Sequence, residues 1–194
     1  MSTSYDYFDR MYQDPDPWSF ASSPYERRKY DLTVGSLPRS RYRRAFEPGC
    51  SIGVLTRRLA GRVDELVAVD LHAAPLVDAR RRLAASEGIV VQQMAVPGEW
   101  PAGTFDLIVL SEIAYYFDDE DLALLQQRVA ETLEPGGDLV LVHWRGETDY
   151  PQSGDAVHER WLTTPGFAPF ADHREERFRI DVLSRTGRPT EARP

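Results

Sequence analysis

Several acidic and glycine-bearing stretches of this chain are spaced as a ligand site would need them. Glu47, Gly49 and Gly53 stand in the pattern Glu-x-Gly-x-x-x-Gly, with Cys50 and Ser51 between the glycines. An apolar run from Leu66 to Val69 closes on Asp70 and Leu71, and another, from Phe105 to Leu110, closes on Ser111 and Glu112. Two glycines in one turn let backbone approach a ligand closely. A carboxylate ending the first strand suits a cationic group, whereas a phosphate would rather meet free amides with no acid beside them. Asp70 is placed to accept hydrogen bonds from a ribose diol. The dinucleotide fingerprint Gly-x-Gly-x-x-Gly, begun at Gly49, would need glycine where this chain has Ser51 and Val54, so a dinucleotide-dependent oxidoreductase is disfavoured.

These residues need strands to carry them. The pattern predicts a strand ending at Glu47, then Ile52, Leu55, Leu59 and Val63 at helical spacing, and a strand over Leu66 to Val69. A helix opened by Pro75, strands at Ile89 to Val91 and Phe105 to Leu110, and a helix capped by Asp118 or Asp119 follow. That helix ends at Pro135-Gly136-Gly137, before a fifth strand at Leu139 to Val142. Strands apolar along their whole length, alternating with amphipathic helices, indicate a doubly wound, mostly parallel α/β sheet covered on both faces. Such a sheet binds ligands beyond the carboxyl ends of its strands, where Glu47, Asp70, Met94, Ala95, Ser111 and Glu112 all fall. Before the sheet, Ser23-Pro24-Tyr25-Glu26 reads as a helix start running to about Leu37. Beyond it, Asp155 to Leu162 reads as a helix, and Arg177 to Leu183 alternates like a late, partly exposed strand. The expected division is a lid segment over 1–38, a ligand-binding domain over 39–186 and a frayed tail over 187–194.

Composition narrows the function classes. With 194 residues, 23 Lys+Arg against 31 Asp+Glu and a net charge of −8, the chain fits one domain and disfavours nonspecific nucleic-acid binding. Its apolar runs are too short to span a bilayer, and Met1-Ser2-Thr3-Ser4 lacks a signal-peptide pattern, so a cytoplasmic location without a membrane partner is expected. Cys50 is the only cysteine and is assigned backbone contact alone. His72, His143, His158 and His173 are too scattered for a zinc set, so no metal is expected. Oligomeric state stays open.

Phe46-Glu47-Pro48-Gly49-Cys50-Ser51-Ile52-Gly53, Val69-Asp70, Phe105-Asp106-Leu107-Ile108 and Leu133-Glu134-Pro135-Gly136-Gly137 together resemble the class I S-adenosylmethionine-dependent methyltransferases. The resemblance implies a seven-stranded, Rossmann-like sheet with an N-terminal helical lid, and S-adenosylmethionine as cofactor. It implies cofactor contacts from Glu47, Gly49, Cys50, Gly53, Asp70, Leu71, Ala95 and Ser111, with Met94 packing on adenine. Many members carry a middle glycine where this chain has Ser51. A closer resemblance is to the nodulation protein S-type enzymes, which methylate the free amine of a partly deacetylated chitooligosaccharide. It rests on Tyr7-Phe8-Asp9, Asp16-Pro17-Trp18, Tyr25-Glu26-Arg27-Arg28-Lys29, Ser111-Glu112-Ile113-Ala114-Tyr115-Tyr116 and His143-Trp144-Arg145.

The implied reaction is N-methylation of an amino sugar or related small molecule, with O-methylation of a hydroxyl as the alternative. An amine must lose a proton before it attacks, so a nearby carboxylate or imidazole helps. Glu112 is the first choice for that role and His143 the second. Trp18 and Arg28 are expected on the cofactor, Arg28 at its carboxylate. Tyr115, Tyr116, Trp144 and Arg145 are expected on the substrate.

Overall fold

A computed structural model describes residues 1–187, so that most of the expected tail lies outside the described residues. The N-terminal segment carries α1 (Tyr5–Met11) and α2 (Pro24–Gly35). As expected, Ser23 caps α2 by accepting from Glu26 N, and Pro24 sits at its first position. Then follow β1 (Tyr42–Pro48), α3 (Val54–Leu59), β2 (Val63–Asp70), α4 (Ala73–Leu83), β3 (Ile89–Gln93) and β4 (Phe105–Ser111). The remainder is α5 (Asp119–Thr132), β5 (Leu133–Trp144), α6 (Gly154–Leu162), β6 (Phe167–Arg174) and β7 (Phe178–Arg185).

The described strands form one seven-stranded sheet in the order β3-β2-β1-β4-β5-β7-β6. The first five run parallel, and β7 is antiparallel to both its neighbours. Strand order reverses between β1 and β4, so a crevice opens beyond their carboxyl ends. Burial on both faces explains why β4 reads as an unbroken apolar run. Its Ile108 and Leu110 pack with Phe46, Val69 and Leu125 on one face, while Leu107 and Val109 pack with Ala45, Leu66 and Leu59 on the other. Asp106 interrupts that run for a structural reason: its two oxygens accept from Arg43 N and Arg44 N at 2.9 and 2.8 Å, fastening the start of β1. Asp118, not Asp119, caps α5, accepting from Glu120 N and Asp121 N.

Four local expectations need correction. The helix after the glycine turn is shorter than its apolar spacing suggests, because a 3-10 turn over Ala60–Arg62 ends it and Val63 already belongs to β2. β5 begins at Leu133 and passes through Pro135-Gly136-Gly137, its register against β4 shifting between Phe105 and Leu107. β6 was not foreseen: Pro169 is tolerated because the strand lies at the sheet edge and shifts register there. With β6 outside it, β7 is interior, and Phe178 to Leu183 are buried rather than partly exposed. No helix of the described residues is long and apolar enough to cross a membrane.

Candidate active site

A cavity of about 540 Å³ lies between the carboxyl ends of β1, β2 and β4 and the N-terminal segment that crosses over them. Of the expected cofactor residues, Trp18, Glu47, Gly49, Cys50, Asp70, Leu71, Met94 and Ser111 line it, as do Glu112, Tyr115, Tyr116 and Trp144. Gly53, also expected on the cofactor, does not line the cavity and acts from behind the wall. It caps α3 at φ +75°, and a Cβ there would stand 3.1 Å from the Ala79 backbone, so the turn needs glycine on both counts. Ser51 also adopts a left-handed backbone, φ +47°, which explains why glycine suits this position. Its N–H donates to Asp70 Oδ2 at 2.9 Å, and its hydroxyl accepts from Tyr12 at 2.9 Å.

Asp70 also accepts from His72 N at 3.0 Å, and burial pushes its carboxyl up to about 6. Glu47 is buried more completely. One of its oxygens, Oε2, finds no hydrogen-bond partner among the described residues, and burial pushes the carboxyl up to about 8. An unpaired buried carboxylate is costly, and a cation beside it would remove that cost. The Cys50 thiol is also pushed well above its ordinary value by burial, which suits packing and not nucleophilic attack.

Glu112 sits where β4 ends, at φ +54°, a conformation costing about 1–3 kcal/mol that its surroundings must hold. Its N–H donates to Val142 O at 2.8 Å. Oε1 accepts from Lys29 Nζ at 2.6 Å, and Oε2 accepts from Tyr115 OH at 2.6 Å and Trp144 N at 3.0 Å. Lys29 reaches in from α2, only 2% exposed, and also binds Glu26 at 2.9 Å. Burial opposes its charge, but Glu112 and Glu26 outweigh that and hold the ammonium above its usual range. Neither Lys29 nor Glu26 was expected at the site. Three residues apart at a helix start, they read as an ordinary exposed i,i+3 pair. Tyr12 and Phe8 of the N-terminal segment and Tyr150 beyond β5 also line the cavity and were not foreseen.

Four expectations for the site are corrected. His143 is wholly buried and lies off the cavity, with its ring committed to structure. Its Nε2 accepts from Ala114 N at 3.2 Å, so Nδ1 carries the hydrogen and donates to His158 Nε2 at 3.0 Å, leaving His158 Nδ1 to donate to Asp181 at 2.6 Å. Burial, then His158 and Lys29, push His143 far below its ordinary value, so this chain of neutral imidazoles fixes the Ala114–Tyr116 turn and offers no base. Arg28 points away from the cavity to Glu175 at 2.7 Å with its side chain 60% exposed. Arg145 is likewise outside, bound to Asp155 at 3.1 Å. Ala95 does not face the cavity, and its N–H donates to Glu99 at 2.6 Å.

The N-terminal segment is stitched to the cavity rim. Thr3 N donates to Tyr116 O at 2.8 Å, Tyr7 and Tyr150 share a hydroxyl contact at 3.0 Å, and Trp18 stacks with Phe20 at 5.3 Å. Aromatic rings therefore roof a floor of glycine backbone and carboxylates.

Comparison with known proteins shows the family and the fold. The model of the nodulation protein S (NodS) family matches residues 2–151. Nodulation protein S of Rhizobium tropici is 28% identical over 160 residues, covering 81% of this chain; the chain spans 63% of that relative's length. A crystal structure of a candidate methyltransferase from Pseudomonas syringae is 42% identical, covering 83% of this chain and 99% of its own, with a TM-score of 0.74. The N-methyltransferase NodS from Bradyrhizobium japonicum WM9, solved with S-adenosylhomocysteine, is 22% identical and shares the fold over 93% of this chain and 97% of its own, with a TM-score of 0.83.

Proposed function

This chain belongs to the nodulation protein S family, and from that premise we propose that it is an S-adenosylmethionine-dependent methyltransferase acting on the free amine of an amino sugar or related small molecule. The observation that carries this reading is the unpartnered, buried oxygen of Glu47 on the cavity wall, one loop away from Asp70. A ligand with a cationic amine at one end and a ribose diol further along complements both acids, and the amino-acid and nucleoside ends of the cofactor have those groups. The residues present therefore fit it.

Glu47 would accept from the cofactor's amine and Asp70 from its ribose hydroxyls. Gly49 and Cys50 would supply a close backbone wall, and Leu71 and Met94 the apolar sides for the adenine. When bound, the cofactor supplies a methyl group already activated on a sulfonium. The protein's task is to align a neutral nucleophile and exclude water. Tyr115, Tyr116, Trp144 and Tyr150 offer aromatic faces suited to a sugar ring. Glu112, first expected to accept the proton, has each of its oxygens engaged and instead holds these walls in place. Residues 1–38 act as the lid that closes over both ligands, replacing bulk water with aromatic surface.

Incubation with S-adenosylmethionine and matched panels of free-amine and N-acetylated chitooligosaccharides should add one methyl group to the free amines only, read by mass spectrometry. Methylation confined to hydroxyls, or stabilisation by nicotinamide dinucleotides and not by S-adenosylhomocysteine, would overturn the reading.

Affinity should also depend on pH. The ribose hydroxyls donate, so they need Asp70 as carboxylate, and its carboxyl in the free protein titrates at about 6. S-adenosylhomocysteine affinity is expected to fall as pH drops through that value. The Asp70→Asn variant should lose this acid limb; calorimetric titrations with the same limb in both proteins would assign it to another group.

A further inference from the structure

Two carboxylates, Glu26 and Glu112, share the Lys29 ammonium on the acceptor side of the cavity, and their surroundings divide their roles. We propose that Glu26, delivered by α2, is the carboxylate that receives the acceptor amine and takes its proton, whereas Glu112 only positions the site. The proposal rests on the amine-methylating reading above and names the residue that would recognise the amine.

Hydrogen-bonding capacity is the first ground. Glu112 spends Oε1 on Lys29 and Oε2 on both Tyr115 and Trp144 N, and its strained backbone is pinned to Val142. Three donors on about four acceptor sites leave it less capacity than Glu26 for another. Glu26 takes Lys29 Nζ, which straddles its two oxygens at 2.9 Å, and has the Tyr30 hydroxyl beside it as a second donor, yet its Oε2 is left without a well-directed hydrogen bond. A carboxylate has about four acceptor sites, so Glu26 retains the means to bind an N–H. It is 6% exposed and lines the cavity, so what it meets is the contents of the cavity.

Charge is the second ground. Two carboxylates and one ammonium leave the buried cluster with a net charge of −1 when all are ionised. The neighbouring groups on α2 are the rings of Tyr25 and Tyr30, 5.2 and 5.9 Å from Lys29 Nζ, and they supply no second cation. An acceptor entering as an ammonium would neutralise the excess. Burial, offset in part by Lys29 and the Tyr30 hydroxyl and reinforced by Glu112, raises the Glu26 carboxyl above its usual range and makes it a stronger base than an exposed glutamate.

The proton and electron count closes. The ammonium passes one proton to the Glu26 carboxylate, which becomes the neutral acid, and the freed nitrogen lone pair forms the new N–C bond. The S–C bond of the sulfonium breaks with its pair staying on sulfur, so the products are a thioether and a methylated ammonium. Glu26 then returns its proton to solvent when the lid opens.

The test compares Glu26→Gln, Glu26→Asp and Glu112→Gln. Glucosamine oligomers serve as acceptor and their N-acetylated forms as control. S-adenosylhomocysteine affinity and urea unfolding are measured on each variant to establish folding. Glu26→Gln is expected to bind S-adenosylhomocysteine like the wild type, to raise KM for the free amine by about tenfold or more, and to lower kcat. Glu26→Asp should recover part of both. Glu112→Gln should lose stability, and the amine KM of its folded fraction should rise less than that of Glu26→Gln. Folded Glu26→Gln with unchanged KM and kcat overturns this proposal alone, provided that the wild type methylates the amine. So does a Glu112→Gln that stays stable and loses amine recognition. A wild type that methylates no amine overturns this proposal together with the functional reading beneath it.

Discussion

Lys29→Met is expected to lower the unfolding free energy by about 3–5 kcal/mol, because it leaves two carboxylates sharing a buried site without their cation. Lys29 is 2% exposed, 2.6 Å from Glu112 and 2.9 Å from Glu26, and those two residues come from α2 and from the end of β4. The ammonium thus joins the N-terminal segment to the sheet, and methionine keeps its bulk without its charge. Urea unfolding measures the loss. The triple change of Lys29→Met, Glu26→Leu and Glu112→Leu tests the cause, since replacing all three charges together should recover much of the stability. A loss below about 1 kcal/mol for Lys29→Met would mean that solvent screens the cluster.

Asp70→Ala is expected to weaken S-adenosylhomocysteine binding by about 1.5–3 kcal/mol, the worth of hydrogen bonds to a charged group, which is about ten- to 150-fold in Kd. The same carboxylate also accepts from Ser51 N and His72 N, so its removal loosens the glycine loop and the start of α4. Asp70→Asn, which keeps one acceptor oxygen, should lose less of both. Calorimetry at neutral pH reads the affinity, and thermal unfolding reads the loop's contribution separately. Unchanged affinity in Asp70→Ala would place the ribose elsewhere.

The parallel core of the sheet and the residues at its strand ends that line the cavity were legible in the amino-acid sequence because both are local. An apolar run buried on both faces announces a parallel strand, and the residue just past each run stands at its carboxyl end, as Glu47, Asp70 and Ser111 do. Motif spacing then distinguished the glycine turn from a dinucleotide loop. β6 escaped because an edge strand tolerates Pro169 and needs no continuous apolar run. The place of Lys29 and Glu26 in the cavity was decided by tertiary structure. Nothing along the chain says that Lys29 turns inward, since its partner Glu112 is far away in sequence and reached only when α2 lies over β4. His143 and Arg28 show the converse. Each stands in a motif that invites a chemical role, yet His158 with Ala114 N claims one side chain and Glu175 the other. Residue type and spacing determined which groups the strands would present, while long-range partners decided which of those groups remained free to act.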